Sequence, residues 1–478
     1  MLLFTFDSSF NDSSCNKNSL YQDPGIICKI QDTIQCDYSY PYRKYDGSCN
    51  NLYISRLGMV NQCFLRFTPP YYEALDCCSE ENVNKPECKP ISIRSDDPFY
   101  SQFNKICINF KRDEQCSCNN SKKRTQKNGV TSVIDLSHLY SVSADKSNEL
   151  RALDGTGKLK SNATSVGCLL PTGKDPADSF CPKLQESECF KEGDPRVNQH
   201  ASMTSLQTIF TREHNRIASS LKQMNPHWRE EKLFQETRKI VTAEFQSIVF
   251  KDYLPILLSS RIMEEFGMIV QNGTNGIIYD PSVILGSWNE FAVGSFRLHS
   301  TVPTNIGALN LRFKDTFSNP DLIRQGYLSE LIKGSQKVPS EEFYRYVIKD
   351  LTNFLYQKPG MSYGQDLSAI DIQRGRDHGL APYVDVVKFC SDGTILISSF
   401  DDLYNYRLMS KKNANLLKRI YAAKENIDMY VGMQMENHMP GAVTGPSTVC
   451  INAKQFFFEQ KGDRFYFDLE GPKAPFSA

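Results

Sequence analysis

Fourteen of the sixteen cysteines lie between Cys15 and Cys189, and only Cys390 and Cys450 come later. Crowding of this kind in a stretch that is also rich in Pro, Asn and Asp reads as disulfide bracing of a loop-rich segment in an oxidising compartment. The alternative is a metal site, since Cys77-Cys78 and Cys116-x-Cys118 are close pairs. Zinc spacing argues against it: there is no paired CxxC, and no histidine precedes His138. Asn11, Asn119, Asn162 and Asn272 begin N-x-S/T sequons, which fits a secreted glycoprotein and also arises by chance.

The 478 residues are enough for a sizeable core in one large domain or two to three average ones. Lys plus Arg and Asp plus Glu are 55 each, so electrostatics make no case for nucleic acid or an anionic membrane as partner. No apolar run is long enough to span a membrane. The apolar start, Met1 to Phe6, turns polar at Asp7 and is too short for the core of a signal peptide. With the cysteines, this gives the expectation of an extracellular protein whose leader is truncated or unrecognised here.

Residues 1–120 show little periodicity and read as loops and turns held by disulfides. Near residue 130 the pattern becomes helical. Leu206, Ile209, Phe210, Ile217 and Leu221 recur at helical spacing up to a stop at Pro226. Trp228, Leu233, Phe234, Ile240, Val241, Phe245 and Ile248 predict a second long helix ending near Pro255. Further helices are expected over 342–356, 366–376 and 412–424. No βαβ alternation or internal repeat is present. The expected fold is mainly α: one large helical domain, with 1–120 as its cysteine-rich segment and 121–478 as its helical core.

Two stretches suggest chemistry. In Gly294-Ser295-Phe296-Arg297-Leu298-His299-Ser300-Thr301-Val302-Pro303, an imidazole among apolar residues, with an arginine two places before, suits a buried iron ligand on a helix. A satisfied core histidine is the plainer reading. The second stretch, Gly364-Gln365-Asp366-Leu367-Ser368-Ala369-Ile370-Asp371-Ile372-Gln373-Arg374-Gly375-Arg376-Asp377-His378-Gly379, resembles the most diagnostic motif of the animal-type haem peroxidases, the superfamily of myeloperoxidase, peroxidasin and peroxinectin. Gly193-Asp194-Pro195-Arg196-Val197-Asn198 and the helix from Thr204 to Ala218 are similar to that family's distal-arginine loop and following helix. Thr131-Ser132-Val133-Ile134-Asp135-Leu136-Ser137 resembles its calcium loop. Cys36-x12-Cys49 with Tyr42, Arg43, Gly47 and Asn50 resembles its opening motif, a loop closed by one disulfide. The matches keep the family's order over about residues 28 to 469.

The resemblance implies a haem peroxidase that uses hydrogen peroxide to oxidise a small phenolic, tyrosyl or halide substrate. His299 would be the proximal iron ligand, and Asp371, where many members have asparagine, would accept from its other ring nitrogen. The plain alternative for Asp371 is an exposed helix residue. Arg297 and Arg374 would pair the haem propionates. Arg376, Asp377 and His378 read as structural ion-pairing and capping residues. Arg196 would stabilise charge on the leaving peroxide oxygen; its alternative is a surface arginine in a Gly-Asp-Pro turn. Thr131, Val133, Asp135 and Ser137 would offer calcium hydroxyl, carbonyl and carboxylate oxygens, although such alternation also marks a half-exposed strand. Gln199 stands where the family often has a glutamate esterified to haem, so non-covalent haem b is expected.

There are departures. The family's distal histidine and first calcium-binding aspartate belong between Phe67-Thr68-Pro69-Pro70-Tyr71-Tyr72-Glu73 and Cys77-Cys78, where this chain has only Ala74-Leu75-Asp76. His200, close to Arg196, is the one substitute base in reach by sequence. The carboxyl end also looks short, since Gly462-Asp463-Arg464-Phe465 resembles a motif normally followed by more helix. Two rival readings stay open. One is a catalytically impaired, haem-binding relative; the other is an adhesion protein that uses Lys461-Gly462-Asp463 on a cell-surface partner.

Overall fold

The computed structural model describes residues 34–65, 88–110, 112–116, 125–174, 180–181, 189–269, 279–307, 310–357 and 360–469. The Ala74 to Asp76 junction and the Cys77-Cys78 pair lie outside them. Helix dominates, and strand is confined among the described residues to short antiparallel ribbons such as Asn162–Thr164 with Gly167–Leu169.

The first long helix, α1 (Ala201–Met224), starts where the His200 side chain accepts the Ser202 N–H, and ends just before Pro226. Its buried face is partly the one the apolar spacing predicts: Ile217 is buried, and Phe210 and Leu221 pack against the same core. Leu206 is exposed, and the inward side also takes in Thr204, Thr208, Thr211, His214 and Ala218. These hydroxyls go inside because each finds an acceptor: Thr208 donates to the Thr204 carbonyl (2.7 Å) and Thr211 to Glu192 (2.6 Å). Helix α2 (Glu230–Ser247) follows, with Glu230 and Glu231 in its first turn. Phe234 and Val241 of α2 bury against Leu136, Tyr140 and Ile217. Pro255 does not end this run. The chain passes through a π-helical turn, Ile248–Tyr253, into α3 (Leu254–Leu258), where Pro255 sits in the first turn and its missing N–H is no loss.

Beyond these lie α4 (Leu328–Lys337), α5 (Leu367–Asp377), α6 (Tyr383–Cys390), α7 (Lys411–Ile420), α8 (Met429–Gln434) and α9 (Pro446–Gly462). The expected helices over 366–376 and 412–424 are α5 and α7. The one expected over 342–356 shrinks to Lys349–Thr352. Tertiary bonds take its backbone instead: the Tyr344 N–H donates to Ser300 Oγ (3.2 Å), the Leu355 N–H to the Gln365 carbonyl (3.2 Å), and the Asn353 carbonyl accepts the Gly364 N–H (2.7 Å). Helix α9 is buried nearly all round and packs on α6 and on α3, sharing one core with α6, α7 and α8 and a second with α3. Contact between α6 and α8 requires Gly432, where a Cβ would come within 2.1 Å of the Tyr383 ring.

Disulfides join Cys36 to Cys49, Cys63 to Cys116, Cys181 to Cys189 and Cys390 to Cys450. The first closes the small loop expected of the opening motif, and the last ties the end of α6 to α9. That opening loop is held against the carboxyl-terminal motif. Arg43 makes a two-pronged pair with Asp463 (2.6 and 2.5 Å), Asn50 Nδ2 donates to the same carboxylate (2.9 Å), and Arg464 Nε donates to the Cys49 carbonyl. This overturns the adhesion reading of Lys461-Gly462-Asp463. A receptor needs the aspartate bare, and Asp463 is 2% exposed with its oxygens occupied.

Candidate functional site

His299 is not on an α-helix. A π-helical turn, Phe291–Ser295, leads into a 3-10 turn, His299–Thr301, that carries it. Turns of the π kind recur where a side chain must be re-aimed. The segment is fixed from behind: Ser295 Oγ donates to Asn452 of α9 (2.6 Å), Ser300 Oγ to Gln434 of α8 (2.9 Å), and Gln434 Nε2 to the Arg297 carbonyl (3.2 Å).

His299 Nδ1 lies 2.5 Å from Asp371 Oδ2. Asp371, on α5, is fully buried, so the alternative of an exposed helix residue is excluded. A buried carboxylate in this position takes the Nδ1–H hydrogen bond and leaves the lone pair on Nε2. The imidazole is 29% exposed, and Nε2 makes no hydrogen bond among the described residues. Arg297 Nη1 stands 3.5 Å from the other Asp371 oxygen. The Tyr430 hydroxyl of α8, also buried, lies beside the same carboxylate without a formed bond.

One turn along α5, Arg374 lies within range of the Arg297 charge but is already engaged. Its Nη1 is bound to Asp113 Oδ1 (2.5 Å), and its guanidinium covers the Phe110 ring at 4.3 Å. Asp113 also meets His378 Nε2 (2.7 Å), whose Nδ1 meets Asn289 (2.7 Å); Asp377 pairs with Arg112, and Arg376 with Asp428. Arg376, Asp377 and His378 therefore take the ion-pairing roles expected of them. Asp113 was missed in the sequence because no local signal marks an aspartate whose partners lie more than 260 residues away.

The Arg196 loop packs against the short helical turn Ser137–Tyr140 that follows the Thr131–Ser137 loop. Gly193 permits this, since a Cβ there would lie 2.4 Å from Ser141 N, and the Asp194 N–H donates to the His138 carbonyl (3.0 Å). Asp194 holds Arg196 through Nε (2.9 Å) and Nη2 (2.6 Å), leaving its side chain 56% exposed. Nearby, Gln199 Nε2 donates to the Tyr356 hydroxyl, and Tyr356 packs on Phe180 and Phe317. His200 is buried, stacked on Phe313 at 4.0 Å, and burial pushes its imidazole down to about 4. Because its Nδ1 accepts the Ser202 N–H, its proton sits on Nε2, where it can donate a hydrogen bond, and the lone pair that could take a further proton is occupied. His138, which sequence reasoning passed over, lies close enough to Arg196 and Asp194 for their charges to act on it.

In the calcium-like loop, Thr131 Oγ1 and Ser137 Oγ meet at 3.3 Å. Asp135 Oδ1 accepts the Ser137 N–H (2.9 Å). Asp135 is 2% exposed and has no ion-pair partner among the described residues. Buried oxygens and a lone carboxylate fit a hard cation. The donor set at His299 likewise fits haem, with a fixed imidazole offering a free nitrogen and a guanidinium beside it.

Peroxidase A of Dictyostelium discoideum superposes with a TM-score of 0.74 at 26% identity, covering 90% of this chain and 93% of that one. Fatty acid alpha-dioxygenase of Oryza sativa shares the fold alone, with a TM-score of 0.70 at 17% identity, over 91% of this chain and 81% of that one. A peroxidase of Drosophila melanogaster is 33% identical over 419 residues, 82% of this chain and 59% of that protein. A human peroxidasin homologue is 32% identical over 429 residues, 83% of this chain and 28% of that protein. The chain thus spans little more than half of the first and a smaller part of the second. The family model for animal haem peroxidase matches residues 73–478, and the chain belongs to that family.

Proposed function

We propose that this chain is an extracellular, haem-dependent peroxidase that uses hydrogen peroxide to oxidise small phenolic, tyrosyl or halide substrates, in the service of peroxide defence. The observation that carries the reading is the His299–Asp371 pair, with Nδ1 held and Nε2 free. When bound, haem supplies the iron centre at which peroxide is reduced. The chain's own residues do the rest. Asp371 orients the imidazole and fixes its tautomer. Arg297 offers a guanidinium to a cofactor carboxylate, and Arg374 offers a second on leaving Asp113. Arg196, kept charged and half in solvent by Asp194, stabilises developing negative charge. Gln199 has no carboxylate to esterify, so haem b is held without a covalent link. Thr131, Val133, Asp135 and Ser137 hold calcium, and the disulfides suit a secreted protein.

A second reading, slow turnover by this chain, is favoured by one observation. His200 spends its lone pair on the cap of α1 and cannot serve as the base that moves a proton between peroxide oxygens. Losing one acid–base group costs about 10²–10⁴-fold in rate. The test is reconstitution with hemin. A Soret band that His299→Ala loses or shifts supports the site; an unchanged spectrum removes His299 from it. Guaiacol turnover per bound haem then separates an active peroxidase from an impaired one, and His138→Ala reports whether that imidazole supplies the proton transfer. Acid-acetone should extract all the haem.

A further inference from the structure

Three polar atoms on one stripe of α2 are buried without a hydrogen-bond partner: Gln235 Oε1, Arg238 Nε and Thr242 Oγ1. Their residues are each 3% exposed. Spaced three and four apart, they face the same way, and all three line one recess between α2 and the opening loop, with Arg43, Lys239 and Phe465 at its walls. The recess offers about 20 Å³ of free space, room for one water-sized particle. Unpaired buried polar atoms are uncommon, and three on residues that line one recess point to an occupant.

The charge at the site says what kind. The Arg238 guanidinium is stacked on Tyr45 at 4.3 Å, with Tyr140 at 5.6 Å, and Nη1 donates to the Arg43 carbonyl (3.0 Å). No carboxylate pairs with it among the described residues. The nearby acids are spoken for: Asp463 by Arg43, Glu236 by the Tyr42 hydroxyl, and Glu231 by Arg151 and Gln235. Asp135 and Tyr45 act on Arg238 only through space. A buried cation with no contacting carboxylate is costly, and water in the recess would bring it no charge to meet. We propose that this recess is a binding site for a small monovalent anion of chloride size, held by Arg238 Nε and Thr242 Oγ1. A water on the ion's open side serves the Gln235 acceptor. The ion is a structural one, locking the opening loop onto α2, and the site is independent of the haem reading.

The test uses the whole chain and bromide as probe. Crystals soaked in sodium bromide are measured at the bromine absorption edge. An anomalous peak is expected within hydrogen-bond distance of Arg238 Nε and Thr242 Oγ1, absent in Arg238→Met and weakened in Thr242→Val. In solution the melting temperature should rise saturably with chloride or bromide, and not with gluconate at equal ionic strength. Thr242→Val should raise the halide midpoint about tenfold or more, the loss of one hydrogen bond to a charged group. That variant keeps Arg238 and carries the test if Arg238→Met does not fold. A recess with water density but no anomalous peak overturns the proposal. So does a peak unmoved by both substitutions, or a melting temperature that treats gluconate and halide alike.

Discussion

The contact between His299 and Asp371 is the smallest unit on which the site depends, and both residues are legible in the sequence by motif. Their surroundings are not. Asp113, which holds Arg374, and Tyr430, beside Asp371, come from parts of the chain that only the fold brings together. A carboxylate takes a stronger hydrogen bond from Nδ1–H than an amide does, which makes the imidazole a better donor and stabilises the oxidised metal. Asp371→Asn is therefore expected to bind haem and raise its ferric-to-ferrous midpoint potential. Asp371→Ala, which also frees Arg297, should lower haem affinity by about 10–100-fold. Spectroelectrochemical titration decides it: an unchanged midpoint in the asparagine variant would mean that the carboxylate does not act on the ligand.

At the scale of elements, helices with an apolar stripe and a clear stop were readable, and those that bury polar groups were not. Helix α9 gives no periodic signal because 13 of its 17 residues are buried, Asn452, Gln455 and Gln460 among them. The inward face of α1 was legible only in part for a related reason: Ile217 goes to the core as its spacing implies, but the threonines go inside too, by donating to Thr204 and Glu192, while Leu206 stays out. Nor could the sequence show that His200 is the cap of α1. Asparagine caps as well as histidine can, and alanine cannot, while both lose the stacking on Phe313. His200→Ala should therefore be about 1 kcal/mol less stable than His200→Asn, measured by urea unfolding. Turnover per bound haem should match wild type in both. A rate lost equally in the two variants would return His200 to the chemistry.

Across the whole molecule, the opening loop and the end of α9 are joined by a pair that is nearly dry. Asp463→Asn leaves Arg43 without its counter-charge and should cost about 3–5 kcal/mol, read as a lower urea midpoint; a shift within error would show that the two ends hold together without it. The buried acids set a second molecule-wide property. Burial pushes Glu192 and Glu459 up to about 8 and Glu436 up to about 7, from an ordinary 4.5. The native state thus keeps protons that the unfolded chain has given up, and stability falls as pH rises from 4.5 through these values. Burial moves His200 and His214 the other way, down to about 4 from 6.5, so their contribution is full above 6.5 and is lost as pH falls towards 4. Between 4.5 and 6.5 the two sets oppose each other. Above 6.5 the histidines are neutral in both states and the carboxyls act alone. The urea midpoint should therefore fall from pH 6.5 to 8, each carboxyl contributing a slope of up to about 1.4 kcal/mol per pH unit. Glu459→Gln keeps an acceptor for Gln455 and cannot titrate, so its slope should be shallower by that amount. If wild type and Glu459→Gln run parallel over this range, Glu459 is not the proton's keeper.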